Sequence, residues 1–383
     1  MSRRTVLSMC ALGTIAGTAM LAGCTGPETH SPGRAKSAEQ RRREFPMDYA
    51  EYAKIGYRLD WWGYPMVTGS LPVRFMEPYK DIVVTLEQGS QVSILEAGTG
   101  GRRCSDQLAT THLTRFVGVV RDGERVLCAS DADVYVVDPA TCNLAGRQKI
   151  EKIVASEPVL FGDLLIFGTG TGELLAHMTR SGVGGVKAWG FAVPGAIERR
   201  PVVIGTAVGA VSQTGEVLFV DGGTGSLVGR SSIYGGLATD PVTDGQLMYV
   251  ASLDQSIYAF SPVGASMAWR VRTSAPLRAQ PTVHGGRLYV TVPGQGLTAY
   301  DTTTGQPVWT SPSFNGTVVA LNKKKLVGFD RDRAEAVTID LDRGDVIERA
   351  KTPGVVMLKP DAFEDGNLYA VSGSGVVAKF QPR

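Results

Sequence analysis

The sequence predicts an all-β fold: an eight-bladed β-propeller, closed by pairing of an N-terminal strand with the C-terminal blade. Three observations carry this. The chain repeats itself with a period of about 40 residues, the span of a propeller blade. Within each repeat, short runs rich in Val, Leu, Ile and Tyr are separated by Gly, Asp or Ser turns. The last repeat stops one strand short, and an unassigned strand-like run stands near the N-terminus.

One repeat reads Pro281-Thr-Val-His-Gly-Gly-Arg-Leu-Tyr-Val, then Gly294-Gln-Gly296, Leu297-Thr-Ala-Tyr-Asp301, Thr304-Gly305 and Val308-Trp309. The preceding one has Pro241, Gly245, Leu247-Met-Tyr-Val, Ile257-Tyr-Ala-Phe-Ser261, Gly264 and Ala268-Trp269. The Asp301 place recurs as Glu96, Asp138, Met178, Asp221, Ser261, Asp340 and Gln381, which makes eight units. Gly and Asp supply the positive φ that tight hairpins need, so the runs are strands joined in series. Pro at 78, 158, 201, 241, 281 and 360 reads as the opening residue of a unit, where no ladder N–H is required. It is missing from the second and seventh units.

Val376-Val-Ala-Lys-Phe380 is a third strand with no fourth behind it. The absent outer strand should carry an aromatic, as Trp269 and Trp309 do in theirs, and Leu59-Asp60-Trp61-Trp62 fits. Pairing of 59–62 with 376–380 would remove an open sheet edge. It would also place all five tryptophans, at 61, 62, 189, 269 and 309, on fourth strands, where packing between blades accounts for them. The propeller then spans 59–383, with about 41 residues per blade.

What precedes it reads as an address. Arg3 and Arg4, the apolar stretch Val6 to Leu21 and Leu21-Ala22-Gly23-Cys24 resemble a bacterial lipoprotein signal over 1–23. The resemblance implies cleavage before Cys24, lipidation of Cys24 and stable membrane anchoring by several acyl chains. Ser2-Arg3-Arg4-Thr5-Val6-Leu7 also resembles a twin-arginine export motif. Residues 24–45 are polar, include Arg41-Arg42-Arg43 and show no apolar period, which predicts a disordered tether. Residues 46–58 form a lead-in, with a short helix from Pro46 through Tyr57 that puts Tyr49, Tyr52 and Ala53 on one face.

Composition excludes some functions. Lys+Arg and Asp+Glu number 39 and 37, so the chain offers no basic field for nucleic acid. His30, His112, His177 and His284 lack ligand spacing, and His284 reads as an exposed turn residue. Gly168-Thr-Gly170-Thr-Gly172 has no following Lys and fits a hairpin rather than a phosphate loop. Of the mature cysteines, Cys128 sits in an apolar run as a buried thiol, and Cys104 and Cys142, which both follow third-strand turns in neighbouring blades, are the candidate pair for a disulfide.

The unit Pro-x-Val-x-x-Gly-x-Leu-Tyr-Val … Ala-Tyr-Asp-x-x-Thr-Gly-x-x-x-Trp resembles the pyrroloquinoline-quinone (PQQ) repeat. It covers most of the mature chain, with 110–150 and 317–351 degenerate. Together with the signal, tether and eight blades, the layout resembles the BamB family of outer-membrane assembly lipoproteins. That resemblance implies a non-enzymatic scaffold without cofactor, tethered by lipid at the periplasmic side of the outer membrane. Thr25 after the lipidated Cys agrees with that side. Its partner would be a protein, the β-barrel assembly machinery, bound through loops between blades on one face. The matching residues here are Ile197, Glu198, Arg199 and Arg200, then Asp240, then Leu277 and Arg278. The Leu-x-Leu-Arg and Asp-x-Asp patterns associated with that surface do not occur in these loops.

Two other classes share the repeat. A PQQ- and Ca²⁺-dependent dehydrogenase needs a Lewis-acid cation, an Asp base, a stacking Trp and often an adjacent Cys-Cys pair. This sequence has no Cys-Cys, and its acidic residues sit mostly in turns. A cell-surface module that binds polysaccharide or another protein is the third reading.

Overall fold

In a computed structural model, residues 37–46, 48–67, 71–110, 114–180 and 185–383 are described. They form eight four-stranded antiparallel sheets, each a simple up-and-down meander. The first blade consists of Val73–Pro78, Ile82–Glu87, Gln91–Glu96 and Arg102–Gln107. The sixth has Thr282–His284, Arg287–Val292, Gly296–Asp301 and Pro307–Ser311. First strands contact first strands from blade to blade, including the eighth with the first, so they line the axis of a closed ring.

The second and third strands are almost wholly buried, as in Ile82–Glu87 and Asp133–Val137. They are sandwiched between neighbouring blades on both faces and therefore read as continuous apolar runs. Fourth strands alternate exposed and buried residues, since one edge meets solvent.

Closure occurs as the pattern implied. Strand β1, Tyr57–Gly63, pairs antiparallel with Val377–Pro382, matching Leu59 to Phe380 and Trp62 to Ala378. A bulge between Leu59 and Trp61 adjusts the register. The strand begins two residues earlier than the sequence indicated.

Two expectations need correction. Residues 24–45 do not form a disordered tether throughout, because Ala38–Arg43 is a helix, α1. Ser37 caps it with a reciprocal Gln40 contact, a capping box that the Ser-x-x-Gln spacing encodes. Arg41 is buried and donates from Nη1 to the Pro65 carbonyl, and Phe45 is buried against Trp62. Tertiary contact, not an apolar period, holds this segment. The lead-in helix, α2, is Tyr49–Lys54, and Tyr52 stacks on Phe380 at 3.9 Å. Of its expected apolar face, Tyr52 is buried, while Tyr49 is 47% exposed.

The second correction concerns proline. Pro158, Pro201, Pro241 and Pro281 stand just before their first strands, but Pro78 and Pro360 end theirs. The first strand is the innermost, with no partner on its axial side, so a missing N–H is tolerated at either end.

Candidate functional site: the loops between blades on one face

The loops from each fourth strand to the next first strand share one face of the ring with the second-to-third-strand turns. They divide the predicted docking residues into two groups. Ile197 and Leu277 are 1% and 0% exposed and do not face a partner. Their N–H groups donate to Thr169 and Ser252 carbonyls, and their side chains fill the seam between blades. Leu237 is buried in the next seam along and forms an isolated antiparallel bridge with Ser252. These three are anchors that give the loops one conformation, so reading Ile197 and Leu277 as contact residues is corrected.

Glu198, Arg200 and Arg278 are exposed, and Arg199 is half-buried with Nε donating to the Leu237 carbonyl at 3.2 Å. Arg200 and Asp240 belong to a chain of polar contacts that steps around the axis. The Arg200 N–H donates to Asp240 Oδ1 at 2.9 Å. The Asp240 N–H donates to Gln280 Oε1 at 3.1 Å, and Gln280 Nε2 returns to the Asp240 carbonyl at 3.1 Å. In the other direction, Arg200 Nη1 lies 3.5 Å from Glu157 Oε1. Burial pushes the Glu157 carboxyl pKa up, and the Arg200 charge partly opposes this.

Glu157, Arg200, Asp240 and Gln280 each precede a repeat proline. So do Glu77 and Lys359, which pair at 2.7 Å where the eighth blade meets the first. Glu77, Glu157, Gln280 and Lys359 were missed in the sequence reading. The X-Pro step at the repeat period was the signal that could have found them. Beside this chain Arg278, Asp330, Arg331 and Lys359 border an open cleft of about 800 Å³, floored by Val319, Met357 and Phe329.

The other predicted sites are placed as follows. Cys24, His30 and His112 lie outside the described residues. Cys104 and Cys142 are joined by a disulfide with a Cα–Cα distance of 5.5 Å, and Cys128 is a buried free thiol. His177 is buried beside Phe167. His284 is not an exposed turn residue, because its ring packs 4.6 Å from Phe363. Gly168 and Gly172 flank a hairpin turn. Among the described residues no group of three or more His, Cys, Asp or Glu side chains could hold a metal ion. No described helix is long and apolar enough to cross a membrane.

Residues 213–383 match the family model described as outer membrane protein assembly factor BamB. The outer membrane protein assembly factor BamB of Burkholderia pseudomallei (strain K96243) is 30% identical over 129 residues. That stretch is 33% of this chain and 32%, about a third, of the relative's own length. The crystal structure of BamB from Moraxella catarrhalis superposes with a TM-score of 0.64 at 17% identity, covering 80% of this chain and 93% of that one. The computationally designed Ika8 protein gives 0.69 at 11% identity, covering 84% and 99%, so the likeness in shape speaks for the fold alone. The chain is thus an eight-bladed PQQ-repeat β-propeller that resembles the outer membrane protein assembly factor BamB.

Proposed function

We propose that this chain is a non-enzymatic, protein-binding scaffold that supports insertion of β-barrel proteins into the outer membrane. In this reading Cys24 carries the lipid that holds it at the periplasmic side. The partner docks on the exposed edges of the loops at 198–200, 240 and 278. The observation that carries the reading is the division of labour in those loops. Buried Ile197, Leu237 and Leu277 fix the backbone, and charged side chains project from a face that needs no rearrangement to bind.

The match of 213–383 to the assembly-factor family supports the role, and that stretch contains two of the three loops. The test is in-cell crosslinking of the tagged full chain, followed by purification and mass spectrometry. Barrel-assembly components should be recovered. Their absence from folded, membrane-bound material would reject the role and leave the propeller intact.

A further inference from the structure

A second site lies on the opposite face, among the first-to-second-strand turns. Between the end of α2 and the seventh blade is a partly enclosed pocket of about 460 Å³. Lys54, Gly56, Asn322, Lys323, Lys324 and Lys325 border it. The three consecutive lysines are exposed, and no ion pair joins them to another described residue. Two acids lie close by: Glu51 pairs with Lys54, and Asp365 Oδ1 accepts the backbone N–H of Lys323 at 2.6 Å, while the side chains of the three lysines stay unpaired among the described residues.

Two features distinguish the pocket from a solvated lysine turn. The equivalent turn in four other blades places glycine at its left-handed position: Gly123, Gly162, Gly205 and Gly285, with φ between 55° and 59°. The seventh blade puts Lys323 there at φ 55°, a conformation that disfavours a side chain. Asn322, at the base, is 7% exposed. Its Nδ2 donates to the Gly56 carbonyl at 3.1 Å, which fixes the amide orientation, and its buried Oδ1 has no partner among the described residues. A buried amide oxygen left unpaired is costly, and it can only accept a hydrogen bond.

The geometry points to a binding site for an anionic polyol, in which a phosphate meets the lysine turn and a neighbouring hydroxyl donates to Asn322 Oδ1. Phosphate alone would use the lysines and leave the amide oxygen unpaired. A phosphorylated polyol satisfies both, and its source is either a membrane phosphoglycerol head group or a free sugar phosphate. The site is separate from the docking loops and does not depend on the scaffold reading.

The test is calorimetric titration of the full chain in non-ionic detergent with inorganic phosphate, glycerol 3-phosphate and dihexanoyl phosphatidylglycerol. Glycerol 3-phosphate should bind at least tenfold more tightly than phosphate. The triple variant Lys323→Gly, Lys324→Ser, Lys325→Ser should lose at least tenfold of that affinity. Its turn then resembles those of the other blades, and an unchanged melting temperature checks the fold. Asn322→Ala should bring glycerol 3-phosphate down to the affinity of phosphate while leaving phosphate itself unaffected. Binding of the short-chain lipid as well supports the site with a head group as source, and binding of glycerol 3-phosphate alone supports it with a soluble source. Failure of glycerol 3-phosphate to bind, or equal binding by the folded triple variant, overturns the proposal.

Discussion

At the residue scale, one contact recurs around the rim. Trp61, Trp189, Trp269 and Trp309 each lie over the turn glycine of the next blade: Gly100, Gly225, Gly305 and Gly344. Each indole Nε1 donates to a carbonyl of that blade, at Ala97, Gly222, Thr302 and Leu341. Gly305 shows why glycine is required: its φ is +71°, and an added Cβ would collide with the Trp269 ring. Replacing Trp309 by Ala should therefore cost about 3–5 kcal/mol in urea unfolding, through lost burial and an open seam. Between the first and second blades, Cys104 stands at the Trp position, opposite Ile94 as Trp309 is opposite Ala299. Cys142 stands at the glycine position with φ +61°. The disulfide thus replaces a Trp–Gly contact. Reduction should lower stability by about 2–4 kcal/mol, and the double variant Cys104→Trp, Cys142→Gly should recover part of it without a covalent bond. Melting curves with and without reductant would check this.

His177 adds a pH term at the same scale. Burial, with Lys187 as a lesser cause, holds its imidazole pKa below the usual value of about 6.5. The unfolded chain then binds the proton more readily than the native state does. This contribution to stability is complete above about pH 6.5 and is lost as the pH falls from there through the folded pKa. Denaturation midpoints should decline over that window in the native chain, and less steeply in His177→Phe.

At the element scale, β1 decides whether the ring is closed. It supplies the fourth strand of the eighth blade, and Trp61 from it also covers Gly100 of the first blade. A chain beginning at Tyr64 should lose both, exposing Val377–Pro382 as an unpaired edge. It should elute as oligomers in size-exclusion chromatography where the full chain is monodisperse. The helices before β1 reinforce closure. Tyr52 of α2 stacks on Phe380, and Arg41 of α1 reaches Pro65. Where the seventh blade would present an outer-strand Trp it has Glu348, opposite Thr338, and α2 packs on that strand instead.

At the scale of the whole molecule, closure makes two faces with different chemistry. One carries rigid loops and an axial chain of polar contacts, from Glu157 through Arg200 and Asp240 to Gln280. The other carries the lysine turn at 323–325. Under the scaffold reading, Glu198→Lys combined with Arg278→Glu should reduce recovery of the partner at least tenfold. A melting temperature within a few degrees of the parent would show that the ring survives, since surface substitutions usually change stability little. The same pair should leave glycerol 3-phosphate binding untouched.

The sequence by itself determined the number of blades, their strand order and the way the ends meet. Each of these is written locally, as a period, a turn residue and a missing strand, and the physics of hairpins reads them without knowledge of distant contacts. Trp309 and Gly305 were legible for the same reason, because they repeat. The docking loops were legible as loops but not as surfaces, since Ile197 and Glu198 differ in burial only once the neighbouring blade is in place. The packing of α1, the axial polar chain and the pocket around Asn322 were decided by tertiary structure alone. Each joins residues tens to hundreds of positions apart, as Asn322 meets Gly56, and only the packing of blade on blade and the closure of the ring bring such partners within hydrogen-bonding distance.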